Sequence, residues 1–117
     1  MGVKELKTVE EYHELLGKNK LVALLFYRGG MVMGMDPLPQ VFSGLVAQFR
    51  NVAFGQIDVN KHPEIQDAAI TKEEGPVMVP CVVAYRHGNP ITDTGELSVT
   101  NAPIRMKDFI QQVLVEE

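Results

Sequence analysis

The chain has 117 residues, of which 45% are hydrophobic and 22% charged, with a net charge of −4. These values suit one globular domain, residues 1–117, able to bury a core without disulfide or metal staples. The acidic balance argues against a nucleic-acid surface, and no apolar run has the length of a membrane span. The one cysteine, Cys81, rules out an internal disulfide and makes the reducing cytoplasm the expected compartment.

Taken in chain order, residues 1–5 show no signal-peptide core, and Met1-Gly2 opens like a myristoylation site but is followed by Leu6 where Ser or Thr is preferred. Residues 3–7 suit a short strand. Thr8-Val9-Glu10-Glu11 is a capping box, and Val9, Tyr12, Leu15 and Leu16 then share one helical face, with Gly17 expected as a left-handed cap. The continuous apolar run 21–27 reads as a strand buried on both faces, hence part of a helix-covered sheet with parallel pairing. Residues 28–36 carry no periodicity. Asp36-Pro37 is a helix start, and Phe42, Leu45, Val46 and Phe49 continue that helix. A strand over 52–59, a short helix from His62-Pro63 to Ile70, and a loop over 71–78 follow. A strand over 79–85 turns through Arg86-His87-Gly88-Asn89 into a strand near 90–97. Asn101 is placed to cap a last helix whose apolar face is Met106, Phe109, Ile110 and Val113. The order is β-α-β-α-β-α-β-β-α, an α/β chain with a mixed central sheet flanked by helices and a closing hairpin.

This order resembles the thioredoxin fold over nearly the whole chain. Leu24-Leu25-Phe26-Tyr27 matches the strand that leads into a thioredoxin active site, and Pro39-Gln40-Val41-Phe42 the proline and helix after it. Gln56-Ile57-Asp58-Val59-Asn60 with Pro63-Glu64 is similar to the third-strand signature. Val79-Pro80 followed by Val82-Val83-Ala84-Tyr85-Arg86-His87-Gly88 resembles the cis-proline strand and its turn, and Gly95-Glu96-Leu97-Ser98 the glycine segment before the final helix. The resemblance implies that Pro80 is cis. The segment between Pro63 and Pro80 is about five residues longer than in the family, within the ordinary range of loop lengths.

The departures bear on function. Where the family has Cys-Gly-Pro-Cys, this chain has Met31-Val32-Met33-Gly34. Thiol–disulfide exchange needs a thiolate, and a thioether has no proton to lose. The preceding tryptophan position is Gly30, the family's buried aspartate falls on Leu25, and its nearby lysine falls on Phe54. Pro37 and Pro39 would both lie inside a helix starting near Met31, where Pro37 would clash with the carbonyl of Met33, so residues 29–35 are expected to form a loop.

The resemblance therefore implies no dithiol reductase and leaves three functions open. In the first, the fold is kept as a binding or scaffold module. An extended protein or peptide segment would lie in a groove formed by Met31, Met33, Met35, Met78, Val79, Pro80 and Gly95, pairing with Val79 by strand addition. The second is redox chemistry through the single thiol of Cys81, for which no resolving cysteine or basic neighbour is evident; a buried free cysteine is otherwise a small inert apolar residue. The third is a Cu(I) carrier through Met31, Met33 and Met35 with Cys81, on soft-ligand chemistry. His13, His62 and His87 lie on different elements with no metal spacing, and Gly29-Gly30 opens no phosphate loop, so no resident metal or other cofactor is expected.

Overall fold

The computed structural model describes residues 2–29, 38–69, 79–98 and 100–115. Five strands form one mixed sheet in the order β1-β3-β2-β4-β5: β1 Lys4–Glu5, β2 Leu21–Tyr27, β3 Ala53–Asp58, β4 Cys81–Arg86 and β5 Asn89–Asp93. The first three run parallel; β4 is antiparallel to β2, and β5 antiparallel to β4. Helices α1 (Val9–Lys18) and α3 (Pro63–Ala68) pack on one face, and α2 (Leu38–Ser43) and α4 (Ala102–Ile110) on the other. This is the element order read from the sequence.

β2 has a partner strand on each edge and a helix layer on each face. Ala23, Leu25 and Tyr27 point to the α2–α4 side with Phe54, Val82 and Ala84. Val22, Leu24 and Phe26 point to the α1–α3 side with Ile57, Cys81, Val83 and Tyr85. Six of its seven residues are buried, which is why the run shows no polar alternation. Gly55 lies at the middle of β3, where an added Cβ would come within 2.7 Å of Leu24 and 2.8 Å of Leu15. On the opposite face the rings of Phe42 and Phe54 pack at 5.1 Å, so Phe54, where the family carries a lysine, is a core residue. Leu25 is fully buried in the same cluster.

Several boundaries differ from the sequence expectations. The Thr8 hydroxyl accepts from the Glu11 amide at 3.0 Å as a capping box requires, but the Glu11 carboxylate reaches the Lys7 amide at 2.7 Å, one residue further back. Gly17 is not a left-handed cap. It is helical, α1 continues to Lys18, and Asn19 ends the helix by donating its side-chain amide to the Leu15 carbonyl at 3.0 Å. Among the described residues the positive φ angles fall instead on His87, Gly88 and Gly95. The helix expected through Phe49 stops at Ser43; after Gly44 the chain tightens into a 3-10 turn, Val46–Gln48, that still buries Leu45 and Phe49. Its expected start at Asp36-Pro37 lies outside the described residues. β5 ends at Asp93, ahead of the left-handed Gly95, so it is shorter than the expected 90–97. Asn101 does not cap α4 forwards. Ser98 and Asn101 bond each other reciprocally, the Ser98 hydroxyl accepting from the Asn101 amide at 3.2 Å and the Asn101 side chain from the Ser98 amide at 3.0 Å. α4 then widens into a π-helical turn, Gln111–Val115, which brings Leu114 into the core below Met106 and Ile110.

Two substitutions test this packing. Leu25→Asp restores the family's residue type to a site now lined by apolar groups, and is expected to cost at least about 3 kcal/mol at neutral pH. Gly55→Val overfills the contact between Leu24 and Leu15 and is expected to cost about 1–3 kcal/mol. Urea denaturation of both variants measures these losses; wild-type stability for Leu25→Asp would contradict the assignment of that face.

Candidate functional site

The candidate site lies at the end of the sheet where β2 finishes and β4 begins. Here β3 supplies a lock. Asp58 is 3% exposed, and its Oδ1 accepts hydrogen bonds from the amides of Gly29 at 3.1 Å and Asn60 at 3.0 Å. The Asn60 side chain in turn donates to the Gly29 carbonyl at 2.9 Å, and the Val59 amide to the Tyr27 carbonyl at 2.9 Å. The two amide hydrogen bonds to Oδ1 offset part of the cost of burying this carboxylate. Gly29 is required by proximity rather than by φ, since a Cβ there would collide with the Asp58 carboxylate. The chain thus leaves the sheet in a fixed direction on its way into residues 30–37. Sequence reasoning used Asp58 and Asn60 only as part of a family signature and missed this role. The signal was an aspartate interrupting the apolar end of a strand, followed two residues on by asparagine.

The second wall is built by β4 and the segment after β5. The Val79–Pro80 peptide bond is cis, and both residues are partly exposed ahead of β4, outside the sheet pairing. The Pro80 carbonyl accepts from the Leu97 amide at 2.8 Å, and Leu97 is buried. Thr94 fastens the same segment to β4: its amide donates to the Val82 carbonyl at 2.9 Å, and its hydroxyl accepts from the Val82 amide at 3.0 Å. Between Thr94 and Leu97 the chain turns at Gly95, with φ +71 and nothing within 4 Å of an added Cβ. Glycine is used there for its backbone angle, not for space. Arg105 of α4 donates to the Thr94 carbonyl, tying the turn to the helix layer. Pro80 and the Gly95 turn are therefore held at one end of the sheet by these hydrogen bonds, with Val79 joined to Pro80 through the cis peptide bond. Met31, Met33, Met35 and Met78, the other residues assigned to the groove from sequence, lie outside the described residues.

Cys81 opens β4 beside this site, but its side chain faces the α1–α3 core. It is 1% exposed, and burial, with the Asp93 carboxylate as a smaller contribution, pushes its thiol up to about 12. Thiolate is the nucleophilic form, so at neutral pH this sulfur is an apolar packing group. The nearby buried hydroxyl of Tyr85 is also raised, mainly by burial and then by Tyr12, whose hydroxyl lies 3.4 Å away. Among the described residues no three His, Cys, Asp or Glu side chains are grouped to hold a metal, and no helix is long and apolar enough to cross a membrane.

No protein-family model matches the chain, and no curated protein matches it. Solved structures do. The oxidised thioredoxin of Plasmodium falciparum superposes with a TM-score of 0.75 at 15% identity, over 94% of this chain and 96% of that one. Mitochondrial thioredoxin 3 of Saccharomyces cerevisiae gives 0.70 at 20% identity, covering 95% of each chain. A Malassezia sympodialis thioredoxin gives 0.71 at 19% identity, over 96% of this chain and 91% of that one. At these identities what is shared is the fold: the chain is a thioredoxin-fold protein whose only cysteine is Cys81.

Proposed function

We propose that this chain is a binding module that uses the end of the sheet at Val79, Pro80 and Gly95 to hold an extended protein segment, without dithiol exchange. The observation that carries this reading is a contrast within a few residues. The frame around Pro80 is kept, with Leu97, Thr94 and Arg105 all bonded to hold it, whereas the adjacent thiol is buried and raised to about 12. Val79 precedes β4 and is outside the sheet ladder, so an incoming strand has a main-chain edge there to extend. On this reading Met31, Met33, Met35 and Met78 supply adaptable apolar contact beside the edge, as methionine-rich binding surfaces do. The cytoplasm is the proposed compartment.

A library of extended peptides displayed on phage and selected against the chain tests the groove. Selected peptides are expected to shift the amide resonances of Val79 and Gly95. Gly95→Asn is the informative variant, because asparagine accepts a positive φ and its side chain enters open space over the groove. It is expected to weaken those peptides at least about tenfold, equivalent to about 1.4 kcal/mol, with the fold intact. Peptides that map elsewhere, or that bind Gly95→Asn as tightly as wild type, would contradict the groove.

The inert thiol has its own test in the pH dependence of stability. The folded-state value of Cys81 lies above that of an unfolded thiol, about 8.5, so the native state keeps a proton that the unfolded state has lost. Stability from this group is complete below about pH 8.5 and falls as pH rises towards 12, by about 1.4 kcal/mol per pH unit for one proton. Cys81→Ala is expected to flatten the decline between pH 9 and 10 by about that one-proton slope, measured by urea denaturation. An unchanged slope would show that Cys81 titrates normally in the folded protein.

A further inference from the structure

The opposite end of the sheet carries a second concave surface. It is a cavity of about 440 Å³ between the last turn of α1 and the β4–β5 turn, lined by His13, Leu16, Lys18, Lys20, His87 and Gly88 among others. That volume is within the range of small-molecule sites. β2 pairs Leu21 with Arg86 at this end and Phe26 with Cys81 at the other, so the cavity lies several residues' rise along the sheet from Pro80.

The charge of this cavity runs against that of the chain as a whole. The chain has a net charge of −4, yet the cavity lining holds two lysines and two histidines and no carboxylate. The last turn of α1 contributes about half a negative charge from its carbonyl ends, one of which, Leu15, is occupied by the Asn19 side chain. Lys18 shares an exposed 3.5 Å ion pair with Glu14, which leaves it only partly available. Lys20 tips the field positive.

The two imidazoles are positioned from separate elements. The His13 ring on α1 packs against Tyr12 with centroids 5.0 Å apart. His87 begins the hairpin turn at φ +53, followed by Gly88 at φ +80, and its amide donates to the Lys20 carbonyl at 2.8 Å. Two successive positive φ angles are the signature of a hairpin turn in which Asn, Asp or Gly is strongly preferred at the first position. Histidine, like Asn and Asp, is among the non-glycine residues that enter this region most readily. What the histidine adds is a second imidazole to a lining that already holds His13.

We propose that this cavity is a binding site for a small phosphate-type oxyanion, recognised by Lys20, His13 and His87 with support from Lys18. Two ammonium groups in the lining disfavour a metal ion, and a lining with four basic side chains and no carboxylate favours an anion. The site is independent of the groove at Pro80.

Titration of the 15N-labelled chain with inorganic phosphate, and separately with pyrophosphate, tests this, with sodium chloride at matched ionic strength as control. Saturable shifts are expected at His13, Lys20, His87 and Gly88, larger for pyrophosphate, and absent with chloride. His87→Asn keeps a residue suited to the turn while removing the imidazole; with it, and with Lys20→Ala, affinity is expected to fall at least about fivefold. Shifts that follow ionic strength alike in all three salts would overturn the site. So would saturable binding left unchanged by His87→Asn, His13→Gln and Lys20→Ala.

Discussion

β2 is hydrogen-bonded on both edges and covered on both faces, and the rest of the structure is arranged around that strand. Every polar atom placed on it must find a partner inside the protein or bear its desolvation. Its backbone finds those partners in β3 and β4. Its side chains are wholly apolar but for the Tyr27 hydroxyl, and six of the seven are buried. Because β2 spans the sheet, its two ends also place the two candidate sites. One is the Gly29–Asp58–Asn60 lock beside Pro80, and the other is the basic cavity beside Lys20 and His87.

The same desolvation argument explains which polar groups this chain keeps and which it lacks. Asp58 is as buried as its apolar neighbours, but two amides bond its Oδ1 and so offset part of the cost of charge. At position 25 the residue is leucine, packed in one apolar cluster with Phe54 and Phe42. Cys81 follows the same rule from the other side of the sheet. Surrounded by apolar side chains, it is held protonated. The thioredoxin fold is thus present with leucine at position 25, phenylalanine at position 54 and a buried thiol at position 81.

Much of this was legible in the sequence because periodicity and burial agree. The unbroken run 21–27 gave a strand with the observed ends, and the spacing of Tyr12 and Leu16, or of Met106 and Ile110, gave helical faces that do point inwards. The Thr8 cap was visible for the same local reason. What failed was termination. Gly17 lies where a helix end was plausible, but Asn19 provides a side-chain stop two residues later, and no local pattern ranks the two. Asn101 faces backwards because Ser98 offers it a reciprocal partner. At the site, Pro80 and Gly95 were legible through family resemblance. The joint role of Gly29, Asp58 and Asn60 was not, since it depends on contacts between residues 29 apart in the chain or more.

The central claim is that partner binding at the Pro80 end does not pass through sulfur. Equilibrium binding of one groove-selected peptide to wild type and to Cys81→Ser, each with and without a thiol reductant, measures this most directly. Four equal affinities are predicted, because the Cys81 side chain faces the α1–α3 core rather than the groove. Loss of binding on reduction, or in Cys81→Ser with the fold intact, would contradict the account and return the thiol to the centre of this protein's chemistry.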